Sequence, residues 1–287
     1  MLLVFDGHSC KFIYEDAPSN TNKAAEITSF YDKELNVEYM WNGDATYWAG
    51  RNPILFPIVG NTYSKEYFID GKRYAMGNHG LARHAHFEKI NETENSITLE
   101  FCSDEETLKQ YPFDFSLQVT YTLVNERVNI DYVIKNTGDK VMPFSFGLHP
   151  AFMCPMGEGD FFDYYLEFPQ EECMKWYNHE TLEFELQDVP TKKIALNYDE
   201  LFATIMLEGV KNPYVCLTNG ERGVEVGCAG YRWLAFWTKP NAPYVCIEPW
   251  HGLSDVKETS VPFEERLGTM LLEPNKEYRT SYYFRVY

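Results

Sequence analysis

Alternating apolar residues in the middle of the chain restrict the fold more than any other feature of the sequence. Apolar side chains occupy every second position over 113–123 and again over 128–134, on either side of the turn residues 125–127. Side chains two positions apart share one face of a β-strand, so this period predicts a long β-hairpin with one buried face. Residues 97–101 alternate in the same way, and residues 278–286 follow the pattern near the end of the chain.

Helical periodicity is confined to two short segments. Residues 104–111 are expected to form one or two turns capped by Ser103 or Asp104, and residues 199–202 to form another. The polar stretch 15–22 is expected to be a loop. Because the chain has no linker, repeat or low-complexity tract, we predict one all-β domain over residues 1–287, a large antiparallel sandwich with few short helices.

Charge and cysteine content exclude several classes of partner. The chain has 43 acidic and 25 basic residues, a net charge of −18, which disfavours nucleic acid and anionic membranes as partners. No apolar run approaches the roughly 18 residues of a membrane span, and the N-terminus lacks the basic start of a signal peptide. Seven scattered cysteines without a CxxC pair predict reduced thiols and a cytoplasmic location.

Four segments interrupt the strand pattern and are rich in Gly, Pro, His and Trp, as functional loops often are. In the first, Arg51 lies between a glycine and a proline-led apolar strand, where a guanidinium can donate two hydrogen bonds to neighbouring hydroxyls. A surface ion pair is the alternative role for this arginine.

The second segment, residues 78–88, contains three histidines and an arginine: His79, Arg83, His84 and His86. On a strand, His84 and His86 would point to one face, and neutral imidazoles there are typical zinc ligands. Glu88 lies too near this pair for a cupin-like set of metal ligands, so we expect solvated or hydrogen-bonded histidines and no metal site, with metal binding as the alternative.

The third and fourth segments each end an apolar strand with a group that can transfer protons. Pro150 restricts the backbone of His149 to an extended conformation, and imidazole, with a pKa near neutrality, is a suitable general acid. Glu248 follows the apolar run 244–247 beside Trp250, and partial burial would raise its pKa toward the range of a general base. A hydrogen-bonded buried histidine and a salt-bridged carboxylate are the alternatives.

Taken together, these segments resemble the aldose 1-epimerase, or galactose mutarotase-like, family, and in particular its LacX-type branch. The strings that carry the resemblance are WAGRNPILFP from Trp48, HGLAR from His79, GLHPAF from Gly147 and CIEPW from Cys246. AEI at 25–27 and YMWNGD at 39–44 also fit the start of that branch. The matches run in order along nearly the whole chain.

The resemblance implies a twisted antiparallel β-supersandwich with an open sugar-binding cleft and an acid–base reaction without a cofactor. The resemblance also implies that the sugar is an aldose whose α and β anomers are interconverted, which would make the protein an isomerase. By position, His149 resembles the general acid and Glu248 the general base. The expected substrate contacts are Arg51, His79 and Arg83, and the expected apolar wall beneath the sugar is Trp237, with Trp250 and Phe152 as alternatives.

One departure from the family pattern keeps other functions open. Ile205 stands where the family usually has an aspartate that binds ring hydroxyls. A sugar-binding protein of the same fold without catalysis is therefore one alternative. A metal-dependent sugar isomerase using His79, His84 and His86 is a second. The sequence predicts neither the identity of the aldose nor the oligomeric state.

Overall fold

Antiparallel β-sheets make up most of the structure. The structure is a computed structural model that describes the backbone of residues 2–5 and 8–12 and the full residues 25–255 and 257–287. Within those ranges the helices are short: α1 (Glu105–Gln110), α2 (Tyr198–Ala203) and the 3₁₀ turns Ala82–His84, Phe161–Asp163 and Phe263–Glu265. The all-β prediction is confirmed, whereas the loop expected at 15–22 lies outside the described residues.

The larger sheet has nine strands, which we number along the chain. In spatial order they are β18 (Thr191–Ala195), β15 (Tyr165–Glu172), β20 (Tyr214–Thr218), β21 (Gly223–Gly227), β25 (Glu277–Val286), β11 (Arg127–Asn136), β10 (Phe115–Val124), β9 (Ser96–Cys102) and β8 (Glu88–Glu92). Strands β10 and β11 pair from Phe115↔Asn136 to Val124↔Arg127 and form the predicted hairpin.

The second sheet has eight strands and carries the candidate site. In spatial order they are β17 (Glu183–Leu186), β16 (Lys175–Asn178), β19 (Ile205–Glu208), β22 (Trp233–Trp237), β23 (Tyr244–Trp250), β13 (Gly147–Leu148) and β5 (Ile54–Leu55), with β14 (Ala151–Met153) also paired to β23.

The remaining described strands form three smaller sheets. They are β1 (Leu2–Phe5), β2 (His8–Phe12), β3 (Ile27–Asp32) and β4 (Val37–Glu38); β6 (Glu66–Ile69) with β7 (Lys72–Ala75); and β12 (Met142–Phe144) with β24 (Met270–Leu272).

The main core lies between the two large sheets. Phe168 of β15 meets Phe236 of β22 at a ring-centroid distance of 6.5 Å, and Phe152 of β14 meets Phe284 of β25 at 5.5 Å. Because side chains alternate across a strand, the residues between these core positions project from the other face of the eight-stranded sheet. That outer face forms the floor of a cleft.

Both predicted helical segments exist and are capped by polar side chains. The Asp104 carboxylate accepts hydrogen bonds from the backbone N–H groups of Glu106 and Thr107, and the Thr107 hydroxyl accepts one from the Asp104 N–H. This reciprocal pairing satisfies donors that the first helical turn leaves unpaired. In α2, the Asn197 side chain accepts hydrogen bonds from the backbone N–H groups of Asp199 and Glu200.

Six of the seven cysteines have described side chains, and all six are free thiols, as predicted: Cys102, Cys154, Cys173, Cys216, Cys228 and Cys246. Among the described helices, none combines the length and the apolar character that crossing a bilayer requires.

Candidate active site

Strand β23 supplies the carboxyl group of the site. Its core-facing residues Val245 and Ile247 are buried between the sheets, whereas Cys246 and Glu248 project from the opposite face. The sequence pattern ended this strand at Ile247, but pairing with β22 continues through Glu248 to Trp250. Glu248 is therefore fixed by the backbone of a central strand rather than by a loop.

His149 lies between β13 and β14, directly across from β23. Its Nε2 is 3.3 Å from Oε2 of Glu248, although the two residues are 99 positions apart. The approach depends on Gly147, where an added Cβ would lie 2.8 Å from the Trp250 ring and 2.9 Å from a Val59 methyl. A side chain at this position would push β13 away from β23 and separate the two groups.

A cavity of about 660 Å³ opens over this pair. Five residues with predicted roles line it: His79, Arg83, His149, Trp237 and Glu248. Other lining residues include Trp48, Asn78, Tyr177, His179, Thr204, Met206, Lys239 and Trp250. The volume is within the range of small-molecule sites.

His79 is held in one orientation by the backbone of Gly60. The Gly60 N–H donates to His79 Nδ1 at 3.0 Å, and the His79 N–H donates to the Gly60 carbonyl at 2.7 Å. Since Nδ1 accepts, the ring proton lies on Nε2, which can then donate to a sugar oxygen. Burial, with the nearby His149 and Arg83, lowers the pKa of His79 well below its ordinary value, so this ring is neutral.

Two tryptophans enclose the His149 ring. Trp48 lies against it at 4.7 Å with an interplanar angle of 30°, and Trp237 approaches edge-on at 5.6 Å. The Trp48 carbonyl accepts a hydrogen bond of 2.8 Å from Trp41 Nε1, which anchors the loop. Sequence reasoning named Trp237 but not Trp48, although Trp48 begins the string that carries the resemblance.

The two predicted arginines differ in position. Arg83 lines the cavity, on the 3₁₀ turn Ala82–His84. Arg51 is not among the lining residues: its guanidinium carbon lies 2.6 Å from where a Cβ on Gly43 would be. Its Nε and Nη1 are buried and find no hydrogen-bond partner within the described part of the chain. The structure thus does not bring Arg51 to the cavity, and its substrate contact stays a prediction.

The histidines considered as alternative metal ligands do not share a strand. His84 ends a 3₁₀ turn and His86 follows in irregular backbone, so the strand arrangement that this alternative requires does not form. Both are exposed, whereas His79 is buried. The triad His79, His84 and His86 does not come together as a metal site among the described residues.

Ile205 does not face the cavity. It is 7% exposed and belongs to the main core, on the side of β19 opposite Met206. Thr204 and Met206 line the cavity instead. A carboxylate at position 205 would be directed away from the site, so this position cannot supply the expected contact to ring hydroxyls in this chain.

Burial controls the charges of the central pair. Desolvation raises the pKa of Glu248 well above its ordinary value, although the nearby Arg83 opposes this shift. Desolvation and Arg83 lower the pKa of His149 to about 3. The raised pKa of Glu248 was predicted, but the near-neutral pKa expected for His149 is wrong for the free site. Burial therefore favours the uncharged form of both groups, which places a proton shared by the pair on the carboxyl group rather than on the imidazole.

The fold and the cleft define the class: an all-β antiparallel protein of the galactose mutarotase-like type. A galactose mutarotase related enzyme from Lactobacillus acidophilus superposes with a TM-score of 0.89 at 29% identity, over 100% of this chain and 97% of that one. A galactose mutarotase-like protein from Lactobacillus casei ATCC 334 has the same fold, with a TM-score of 0.89, 24% identity and coverage of 100% and 99%.

The chain belongs to the aldose 1-epimerase family, whose model matches residues 24–285. It is also 32% identical over 276 residues to the chromosomal protein LacX of Lactococcus lactis subsp. lactis, covering 90% of this chain and 92% of that protein.

Proposed function

We propose that this protein is an aldose 1-epimerase that interconverts the α and β anomers of an aldose by opening and closing the sugar ring. One observation carries the proposal: the imidazole of His149 and the carboxyl of Glu248 meet at 3.3 Å at the base of a cavity of sugar-binding size. Ring opening needs one group that gives a proton and one that accepts a proton.

In the proposed reaction, His149 is the general acid and Glu248 the general base. The proton of the pair first passes from the carboxyl to the imidazole across the 3.3 Å contact. Protonated His149 then gives its proton to the ring oxygen while Glu248 takes the proton of the C1 hydroxyl. The bond from C1 to the ring oxygen breaks, and a C1 aldehyde forms.

The opened sugar then rotates about its C1–C2 bond and closes on the other face, with both protons returned. Ring opening converts the pair from two charged groups to two neutral groups. Burial favours the neutral form of both side chains, so the same environment stabilises the open-chain stage of the reaction.

The surrounding residues would position the sugar. The Nε2–H of His79 and the guanidinium of Arg83 face the cavity as hydrogen-bond donors, and the rings of Trp48 and Trp237 offer apolar surfaces for a sugar face. Positioning of this kind contributes to rate because the reacting groups are held in a reactive geometry.

Glu248→Gln is expected to lower the enzyme-dependent mutarotation rate by roughly 10³-fold, since each positioned proton transfer contributes about 10²–10⁴-fold. The glutamine keeps the size of the side chain but accepts no proton. Polarimetry or NMR exchange spectroscopy, on a panel of free and phosphorylated aldoses, measures the rate above the spontaneous background. His149→Asn is expected to have a similar effect.

Glu225→Gln is a matched control. This carboxyl is also buried, at 6% exposure, but it lies on the nine-stranded sheet and binds Tyr283 and Arg285. The control is expected to retain the wild-type rate. An unchanged mutarotation rate in a folded Glu248→Gln protein would remove Glu248 as the base. If the wild type binds an aldose saturably but does not accelerate its mutarotation, a non-catalytic sugar-binding protein is favoured.

A further inference from the structure

A third side chain that the proposed reaction does not use completes a cluster with the central pair. Cys246 and Glu248 project from the same face of β23, and His149 faces them from the β13–β14 connection. The ligand atoms of these three residues lie within 4.8 Å of one another. All three residues are buried, with Cys246 at 0%, Glu248 at 1% and His149 at 8% exposure.

Unpaired polar atoms in this cluster point to a ligand. Oε2 of Glu248 and Nδ1 of His149 are both buried, and neither has a hydrogen-bond partner among the described residues. Buried polar atoms in proteins are nearly always paired, so an unpaired carboxylate oxygen beside an imidazole requires an explanation. Oε2 is also the carboxyl atom nearest His149.

We propose that His149, Cys246 and Glu248 form a binding site for a soft divalent metal ion of the Zn²⁺ type, and that the bound ion inhibits the protein. Thiolate sulfur, imidazole nitrogen and carboxylate oxygen are all zinc ligands, whereas Mg²⁺ and Ca²⁺ prefer oxygen alone. Three protein ligands leave the fourth position of a tetrahedral ion open to another ligand. Metal binding itself is independent of the proposed epimerase reaction, and only the inhibition rests on that function.

Charge balance makes the site neutral once a metal is bound. Thiolate and carboxylate each bind the ion as an anion, so any proton on either group is released, while the neutral imidazole contributes its lone pair. The two positive charges of the metal are then cancelled by two anionic ligands, which suits a buried site.

Calorimetric titration of the full, untagged, metal-stripped protein with Zn²⁺ tests the binding. We expect one ion per chain, and buffers of different ionisation enthalpy separate the heat of metal binding from that of any proton release. Titration with Co²⁺ provides a second measurement, since cobalt bound to thiolate has a near-ultraviolet charge-transfer band. Cys246→Ser should remove this band and weaken Zn²⁺ binding by at least about tenfold.

Cys154→Ser is the matched control, because Cys154 is likewise 0% exposed but lies outside the cluster. It is expected to keep the band and the affinity. If Cys246→Ser does not fold, anomalous diffraction from Zn²⁺-soaked wild-type crystals decides, with a zinc–sulfur distance of about 2.3 Å expected at residue 246. No saturable binding to the wild type, zinc without a Cys246 ligand in those crystals, or a band that persists in Cys246→Ser, would overturn the site.

Activity measurements separate the two proposals. If the metal-free wild type accelerates mutarotation, Zn²⁺ should inhibit it in parallel with binding, and a chelator should restore the rate. Zinc that binds at the cluster without inhibiting would overturn the inhibitory role. If the metal-free protein does not accelerate mutarotation of any aldose, the proposed function fails, while calorimetry and the cobalt spectrum still decide the metal site.

Discussion

At the scale of single residues, the buried carboxyl of Glu26 shows how one side chain connects the fold to the site. Glu26 is 8% exposed, and its Oε2 accepts a hydrogen bond of 3.0 Å from the backbone N–H of Arg51. It thereby fixes the backbone of Arg51, which belongs to the same segment as Trp48. Burial raises the pKa of Glu26 from 4.5 to about 7, against the opposing charges of Arg51 and Arg83.

Glu26→Gln is expected to change the pH dependence of stability. A carboxyl whose folded pKa is raised favours folding below the unfolded pKa, and this advantage is lost as the pH rises through the folded pKa. Wild-type stability relative to Glu26→Gln should therefore fall between pH 4.5 and about 7 and then level off. The total change is at most about 3.5 kcal/mol, from about 1.4 kcal/mol per pKa unit over the rise from 4.5 to about 7.

Urea unfolding of both proteins across this pH range measures the difference. A stability difference that does not vary with pH would show that Glu26 titrates near its ordinary pKa in the folded protein.

At the scale of elements, strand β19 has one face in the main core and the other face at the cavity, so that neighbouring residues lie on opposite sides. Ile205 and Leu207 belong to the main core, while Met206 between them lines the cavity. This alternation explains why position 205 is apolar, because a polar side chain there would be placed between the sheets.

Ile205→Asp is expected to destabilise the protein by roughly 3 kcal/mol or more, as an unpaired carboxylate in a core must be desolvated or protonated. Met206→Asp, one position along the same strand, should cost much less because it faces the cavity. Denaturant unfolding of the two variants gives the comparison. Equal losses at the two positions would contradict the assignment of strand faces.

At the scale of the whole molecule, one continuous set of buried residues joins the two large sheets. It includes Phe168 and Leu217 of the nine-stranded sheet and Phe236 and Ile247 of the eight-stranded sheet. Because the proposed catalytic pair, His149 and Glu248, is held by strands of the eight-stranded sheet, the geometry of the site depends on this packing. The same continuity supports the prediction that residues 1–287 form one domain.

Phe236→Ala is expected to cost about 3–5 kcal/mol, the typical loss for truncating a fully buried aromatic ring. Unfolding should remain a single transition by far- and near-ultraviolet circular dichroism if the sheets unfold together. Phe202→Ala is the control, because Phe202 is 53% exposed, and it should stay within about 0.5 kcal/mol of the wild type. Two separate transitions would argue against a single domain.

The features predictable from sequence were those encoded over short distances. Strict alternation predicted β10, β11 and the turn between them, and a polar capping residue predicted α1. Alternation and capping both depend only on residues that are close together in the sequence. His149 and Glu248 were selected because each follows an apolar run and stands beside a proline or a tryptophan. His84 and His86 alternate in the sequence, but the chain forms a 3₁₀ turn there, so alternation over three residues alone does not identify a strand.

By itself, then, the sequence determined an all-β antiparallel fold, its family and the two side chains at the centre of the cleft. Only the tertiary structure decided that these two side chains touch, that Trp48 joins them while Arg51 does not, and that the proton of the pair lies on Glu248. The physical reason is that strand period is a local property of the chain. Contacts between residues 99 positions apart, and the desolvation that shifts their pKa values, arise only when strands from distant segments pack together.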